Sequence, residues 1–179
     1  MIRLFVAIPL PEPIRLRLSL LGGGIPGAAW LAPETLHLTL RFIGEVDRDA
    51  AMDIDDGLSR LRAPAFTLSL QDIGVFSTGR QPRTLWAGVA RSAPLLRLQA
   101  KVEAAVTAAG LPPEGRKFTP HVTLARLKTA SWPRIEQAVA GHAGFRAGPF
   151  PVDRFTLYSS VLARDGALHT PEATYPLDE

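Results

Sequence analysis

The feature that most constrains the fold of this chain is a four-residue pattern, His-x-Thr-Leu, which occurs twice, at 37–40 and at 121–124. Each copy lies in a stretch where apolar and polar residues alternate. Such alternation predicts a β-strand, because successive side chains of a strand point to opposite faces of the sheet. Each of the two strands is therefore expected to present its histidine and threonine on one face and its apolar residues on the other.

The segments that follow the two copies are also alike. A predicted helix comes first, capped by Asp47 in one case and covering 131–140 in the other. A short strand comes next, FTLSL at 66–70 and FTLYS at 155–159. The order of elements is therefore the same after both copies.

This recurrence predicts an internal repeat, with units of about 36–89 and 120–177, inside one domain that spans 1–179. We predict an α+β fold made of two pseudo-symmetric, intertwined lobes. Each lobe is expected to be an antiparallel-rich sheet with helices on its outer side. The active cleft would then lie between the two lobes.

The composition limits the classes of protein that need to be considered. The chain has 179 residues, 46% of them hydrophobic, so one domain can bury a sizeable core. It has no cysteine, which excludes disulfides, thiolate metal sites and cysteine nucleophiles. No apolar run is long enough to span a bilayer and no secretory leader is evident, so we expect a cytoplasmic protein that does not bind membranes. A net charge of +3 is too small to identify a nucleic-acid-binding protein.

The paired motifs predict a site for one small anion, because pseudo-twofold lobes would bring two imidazoles and two hydroxyls together. In a cyclic phosphodiester, one imidazole can take a proton from the attacking water while the other protonates the departing ribose oxygen. The threonine hydroxyls can donate hydrogen bonds to the non-bridging oxygens. Neither motif contains a carboxylate or a further histidine to complete a metal shell, so we expect no metal and no cofactor.

Four further segments are informative: RLFVAIPLP near the start, WLAPETLHLTLRFIGEV at 30–46, PRTLWAGV at 82–89 and RKFTPHVTLARLK at 116–128. With these segments the chain resembles a known family, the two-histidine phosphoesterases, and within it the bacterial and archaeal RNA 2′,3′-cyclic phosphodiesterases, historically called 2′-5′ RNA ligases. The resemblance implies that His37 is the proton donor and His121 the proton acceptor, and that Thr39 and Thr123 bind the phosphate. It also implies that the cyclic end is opened to a 2′-phosphate and that the reverse reaction is a 2′-5′ ligation.

Three arginines are weaker candidates for substrate binding. Arg41 is predicted to share the face of His37, and Arg126 could bind phosphate through its planar fork. Strict alternation places Arg126 on the face opposite His121, unless a β-bulge re-aims it. Arg83 is supported by the resemblance.

Some residues are expected to be structural. Trp30, Phe42 and Trp86 could stack on a base, but aromatic side chains beside strands belong more often to the core, and we favour that interpretation. His142 and His169 lie outside the repeated motifs and are predicted to be ordinary polar histidines.

Two other functions compete with RNA cyclic phosphate hydrolysis. One is a non-catalytic module that binds RNA ends or nucleotides, which two intact motif histidines argue against. The other is a phosphoesterase that acts on a small cyclic nucleotide, which differs in substrate and not in mechanism. The expected partner is RNA with a 2′,3′-cyclic phosphate end, tRNA fragments among the candidates, and the protein is expected to be a monomer.

Overall fold

The computed structural model describes residues 1–164 and 166–178. Asp165 and Glu179, both inside the predicted domain 1–179, lie outside the described residues. The helices are α1 (Glu12–Ser19), α2 (Arg48–Ser59), α3 (Ala93–Ala108) and α4 (Trp132–Gly141). The strands are β1 (Ile2–Pro9), β2 (Ala28–Trp30), β3 (His37–Val46), β4 (Phe66–Thr78), β5 (Gln81–Val89), β6 (His121–Leu127), β7 (Arg146–Val152), β8 (Arg154–Ala163) and β9 (Gly166–Pro176).

The nine described strands form one sheet in the order β7-β4-β5-β6-β3-β1-β8-β9, with β2 paired to β6. Each neighbouring pair is antiparallel. The motif strands β3 and β6 lie side by side at the centre and are matched at Leu38 and Val122. We call β3, β1, β8 and β9 the His37 half-sheet, and β6, β5, β4 and β7 the His121 half-sheet. The predicted α+β class is confirmed.

The chain crosses between the two half-sheets. Strand β4 follows β3 in the sequence but lies in the His121 half-sheet. Strand β6 is followed by β7 in the same half-sheet, and then by β8 in the His37 half-sheet. Each predicted repeat unit, 36–89 and 120–177, thus contributes strands to both half-sheets. The limits of the repeat itself stay a prediction.

The main hydrophobic core lies on one face of the sheet. Leu38 and Leu40 of β3 and Val122 and Leu124 of β6 are buried in the same cluster as apolar residues from all four helices. Burying a side chain of this kind contributes about 1.5–3 kcal/mol to stability. The helices therefore pack on the face that carries the leucines. The opposite face of β3 and β6 carries the motif histidines and threonines, and we call it the histidine face.

Strand β4 is longer than the strand that the sequence predicted at 66–70. It runs to Thr78 and β5 begins at Gln81, so the two strands form a long hairpin. Gly74 lies within β4. A Cβ atom at this position would come within 2.2 Å of the Trp86 ring, so glycine is required by the close approach of the indole.

None of the helices in the described part of the chain combines the length and the hydropathy needed to cross a membrane.

Candidate active site

The two motif histidines lie on either side of the seam between the half-sheets. Strands β3 and β6 run antiparallel and are matched at Leu38 and Val122, the residue that follows the histidine in each motif. Antiparallel register therefore directs each histidine toward the threonine of the other motif. All four motif side chains are half-buried.

Both imidazoles are held by the same backbone contact. The Nδ1 atom of His37 lies 2.7 Å from the carbonyl oxygen of Thr35, and the Nδ1 atom of His121 lies 2.7 Å from that of Thr119. A carbonyl oxygen can only accept, so Nδ1 carries the hydrogen in each ring. The Nε2 atom is therefore the nitrogen left for chemistry, as a base when neutral and as an acid when protonated.

A β-bulge follows the threonine of each motif. Pairing of β3 with β1 jumps from Thr39 to Arg41, and pairing of β6 with β5 jumps from Thr123 to Ala125. One extra residue in each strand reverses the alternation beyond it. The bulges are thus equivalent, and they change which of the following side chains lie on the histidine face.

The first bulge turns Arg41 into the protein, so its predicted place on the face of His37 is wrong. Arg41 is 7% exposed, and its Nε donates to Oε2 of Glu103 at 2.6 Å. Its other nitrogens donate to the backbone oxygens of Phe42 and Pro112. The guanidinium joins β3 to α3 and to the loop after that helix, so it is directed away from a substrate on the opposite face.

The same bulges bring Phe42 and Arg126 toward the histidine face at equivalent positions. Phe42 is 51% exposed, so its predicted place in the core is wrong. Its ring stacks on that of Phe5 at 6.2 Å between centroids with an interplanar angle of 6°. Arg126 is exposed as well. The sequence analysis placed Arg126 on the face of His121 only if a β-bulge intervened, and this bulge is present. The phosphate-binding role of Arg126 stays a prediction.

Arg83 lies at another irregularity, in the pairing of β5 with β4. Its neighbours Pro82 and Thr84 pair with Ser77 and Phe76, while Arg83 itself is exposed between them. Its substrate-binding role stays a prediction. Of the other two aromatic residues predicted to be structural, Trp30 packs against the core cluster, whereas Trp86 is half-buried and is not part of that cluster.

The surroundings of His37 are aromatic. Its ring stacks on Phe5 at 4.8 Å and lies 6.2 Å from Tyr158. His169 approaches His37 edge-on at 5.2 Å and Phe5 at 4.9 Å. His169 is therefore part of the site and not an ordinary polar histidine. It belongs to β9, which reaches β3 only through β8 and β1, so no local sequence signal marked it.

The surroundings of His121 are different. The ring of Phe76 meets His121 at 4.8 Å with an interplanar angle of 89°. Trp86 lies 5.2 Å from Phe76 and is half-buried beside Thr123, its partner in the β5–β6 pair. His121 thus makes a T-shaped contact with Phe76, whereas His37 is stacked on Phe5.

Burial lowers the pKa of His37 to about 4, because the charged imidazolium is poorly solvated there. The carbonyl of Thr35 acts in the opposite direction, and the nearby His169 and His121 lower the pKa further. Burial also lowers the pKa of His169. In the free protein, His37 is consequently neutral at pH 7, and it must gain a proton before it can act as an acid.

Among residues 1–164 and 166–178, no three His, Cys, Asp or Glu side chains are grouped so as to hold a metal ion. The site offers two imidazole Nε2 atoms and two threonine hydroxyls on the same face of the sheet.

Comparisons of this chain with family models, with curated proteins and with solved structures all point to the same family. A family model described as the 2′-5′ RNA ligase superfamily matches residues 16–163. The chain is 36% identical over 157 residues to an RNA 2′,3′-cyclic phosphodiesterase of Aeropyrum pernix, covering 87% of this chain and 89% of the relative. It is 34% identical over 182 residues to the protein of the same name in Escherichia coli, covering 99% and 97%. Among solved structures, E. coli LigT complexed with 3′-AMP matches with a TM-score of 0.80 at 30% identity over 99% of both chains.

Proposed function

The chain belongs to the 2′-5′ RNA ligase superfamily, and on that premise we propose that it is an RNA 2′,3′-cyclic phosphodiesterase in which His37 donates and His121 accepts a proton. The observation that carries the proposal is the pair of imidazoles at the seam of the sheet, each held through Nδ1 with Nε2 left for chemistry. This arrangement offers one base and one acid to a single phosphate between them.

The proposed step is an in-line displacement at phosphorus. Nε2 of neutral His121 takes a proton from water as the water oxygen forms a bond to phosphorus. The bond from phosphorus to the ribose 3′ oxygen breaks on the opposite side, and Nε2–H of protonated His37 gives its proton to that oxygen. The product is a 2′-phosphate with a free 3′-hydroxyl, and the two histidines have exchanged protonation states.

The motif threonines supply donors for the charge that builds up on the non-bridging oxygens. Thr39 and Thr123 lie on the histidine face, and each is directed toward the histidine of the other motif. A hydrogen bond to a charged group contributes about 1.5–3 kcal/mol. Donors on both sides of the seam would also orient the phosphate, so that the attacking and leaving oxygens point at different imidazoles.

His37 must take up a proton when the substrate binds. A pKa of about 4 in the free protein leaves the ring neutral at pH 7. The negative charge of a cyclic phosphate beside it favours the protonated form and raises that pKa. Binding of the anion therefore converts His37 from a neutral ring into the acid that the step needs.

The strained ring of the substrate and its single negative charge make this reaction tractable without a metal ion. Microscopic reversibility permits the same site to join a cyclic end to the 5′-hydroxyl of a second RNA, giving a 2′-5′ linkage. We include fragments of tRNA among the candidate substrates, and a monomer as the active form.

The test is hydrolysis of an oligoribonucleotide that ends in a 2′,3′-cyclic phosphate, in EDTA, with the product ends mapped. Wild type should give a 2′-phosphate, and His37→Ala or His121→Ala should lower the rate by roughly 10²- to 10⁴-fold. His142→Ala, which removes a histidine at the end of α4, is the matched control and should leave the rate unchanged.

Three results would contradict the proposal. Turnover that EDTA abolishes would overturn the metal-free mechanism. Tight binding of the RNA without turnover would favour the non-catalytic binding module. A strong preference for mononucleotide cyclic phosphates over RNA ends would assign the site to small cyclic nucleotides.

A further inference from the structure

The two half-sheets are joined by little backbone pairing. Among the described residues, β3 and β6 are matched at one pair, Leu38 with Val122, whereas β1 is matched to β3 along its whole length. The motif histidines lie on either side of this seam. A single matched pair restricts the rotation of one strand against the other less than a long ladder does, so the spacing between His37 and His121 depends on further contacts across the seam.

A polar network on the helix side of the sheet makes such contacts. Arg41 of β3 donates through Nε to Oε2 of Glu103 at 2.6 Å. The other carboxylate oxygen, Oε1 of Glu103, accepts from the backbone nitrogen of Glu114 at 3.1 Å. Arg41 also donates to the carbonyl oxygen of Pro112. Both of these backbone groups belong to the loop 109–120, which leads from α3 into β6, and we call the four residues the Arg41–Glu103 network.

The far end of the same loop supports His121. The carbonyl oxygen of Thr119 lies 2.7 Å from Nδ1 of His121 and fixes the orientation of the imidazole. Residues 109–120 form no helix or strand of their own, so their position depends on contacts with the rest of the fold. The network fixes this loop at Pro112 and Glu114, and the loop in turn places the carbonyl that holds His121.

The network is buried and well defined on the β3 side. Arg41 is 7% exposed, and the Glu103 side chain is 23% exposed. Such an ion pair adds little stability over apolar side chains of similar volume, but its donors and acceptors meet in a narrow range of geometries. Gln99, one turn before Glu103 on α3, donates to the carbonyl oxygen of Leu40 at 3.3 Å. Helix α3 therefore holds β3 at two successive residues, directly after the motif threonine.

We propose that Glu103 is a positioning residue for the reaction, which acts through Arg41 and the loop 109–120 to set the spacing between His37 and His121. The inference rests on the proposed function, because it requires both histidines to act in one displacement. Glu103 lies on the helix side of the sheet, so it acts without touching the substrate. Its loss should therefore affect kcat more than KM.

The experiment introduces Glu103→Ala into two backgrounds, wild type and His37→Ala, and follows the opening of a cyclic-phosphate RNA. In wild type, kcat should fall by roughly 10- to 100-fold with little change in KM, since a misplacement of about 1 Å has effects of this size. In His37→Ala, the same substitution should change the rate by no more than about twofold, because the spacing no longer matters once the acid is absent. A smaller folded fraction would instead lower both rates by the same factor.

Two variants separate positioning from structural damage. Val102→Ala removes a fully buried side chain beside Glu103 on α3; it should lower stability, as urea denaturation will show, and keep the wild-type kcat. Glu103→Gln places an NH₂ group where one carboxylate oxygen was, so it can accept from only one of the two donors. Its kcat should lie between those of wild type and Glu103→Ala, and it replaces the alanine variant in both backgrounds if that variant does not fold.

Equal losses in the two backgrounds would overturn the inference, as would an unchanged kcat in Glu103→Ala or an equal loss of kcat in Val102→Ala. In each case turnover by wild type and its dependence on His37 would leave the proposed function intact. Absence of turnover of the RNA by wild type would overturn both.

Discussion

The two half-sheets give their histidines the same backbone setting and different neighbours. In both, Nδ1 is held by the carbonyl two residues earlier and a bulge follows the motif threonine. His37, however, stacks on Phe5 beside His169, whereas His121 meets the edge of Phe76. The shared features supply two equivalent imidazoles, and the neighbours make one of them hard to protonate in the free protein.

The residues after each bulge differ in the same way. Beyond the first, Arg41 is buried against Glu103 and Phe42 is exposed; beyond the second, Ala125 is buried and Arg126 is exposed. The duplicated pattern thus sets where a side chain points, while residue identity decides what it can bind. Asymmetry of function can therefore arise at two positions that share the same kind of bulge.

The largest expected effect tests whether the halves act as one unit. Each single variant, His37→Ala or His121→Ala, should open the cyclic phosphate roughly 10²- to 10⁴-fold more slowly than wild type. Because acid and base serve the same displacement, the rate of the double variant should be little lower than that of the slower single variant. Single-turnover rates on a cyclic-phosphate RNA measure this. Losses that multiply in the double variant would show instead that the two histidines contribute independently.

The second prediction concerns stability on the His37 side. Arg41→Ala should lower the free energy of unfolding by about 2–4 kcal/mol, because it removes the donor to Oε2 of Glu103 and to two backbone oxygens. Urea denaturation measures the loss. The surface ion pair of Arg60 with Asp56, both well exposed, is the matched control, and Arg60→Ala should cost less than about 1 kcal/mol. Comparable losses would contradict a buried structural role for Arg41.

The third prediction concerns the equivalent arginine on the His121 side. Arg126→Ala should lower kcat/KM by roughly 10- to 100-fold, the equivalent of one charged hydrogen bond to phosphate, with urea denaturation unchanged. Raising the salt concentration should narrow the gap between wild type and variant, since the contact is electrostatic. An unaltered kcat/KM would remove Arg126 from the substrate site.

The last prediction concerns the pH dependence of stability. The pKa of His37 is lowered in the folded protein to about 4, so the unfolded chain binds the proton first as the pH falls. The contribution of His37 to the free energy of unfolding is present in full above pH 6.5 and is lost as the pH falls to about 4. It amounts to roughly 3.5 kcal/mol, at about 1.4 kcal/mol for each pH unit of that interval. His37→Gln should therefore lose less stability than wild type between pH 7 and pH 4.5. If the free energy of unfolding changed equally in the two proteins between pH 7 and pH 4.5, the lowered pKa of His37 would be contradicted.

Much of the framework followed from local signals in the sequence. Alternation predicted both motif strands, and Asp47 caps α2 as expected, accepting from the backbone nitrogen of Ala50. The two bulges could not be predicted from the local sequence, because they depend on how β3 pairs with β1 and how β6 pairs with β5. That single shift explains why Arg41 and Phe42 were each assigned to the wrong face. His169 was missed for a related reason, since its place beside His37 depends on pairing across three strands.

The different roles of the two histidines, His37 as proton donor and His121 as proton acceptor, are tested most directly by replacing the leaving oxygen. In an RNA whose cyclic phosphate carries sulfur at the 3′ position, the leaving group is a thiolate, which departs without a proton because thiols have a pKa of about 8.5. If His37 serves to protonate the leaving oxygen, this substrate should restore His37→Ala to nearly the wild-type rate and leave His121→Ala slowed by roughly 10²- to 10⁴-fold. Rescue of His121→Ala instead, or of neither variant, would contradict it.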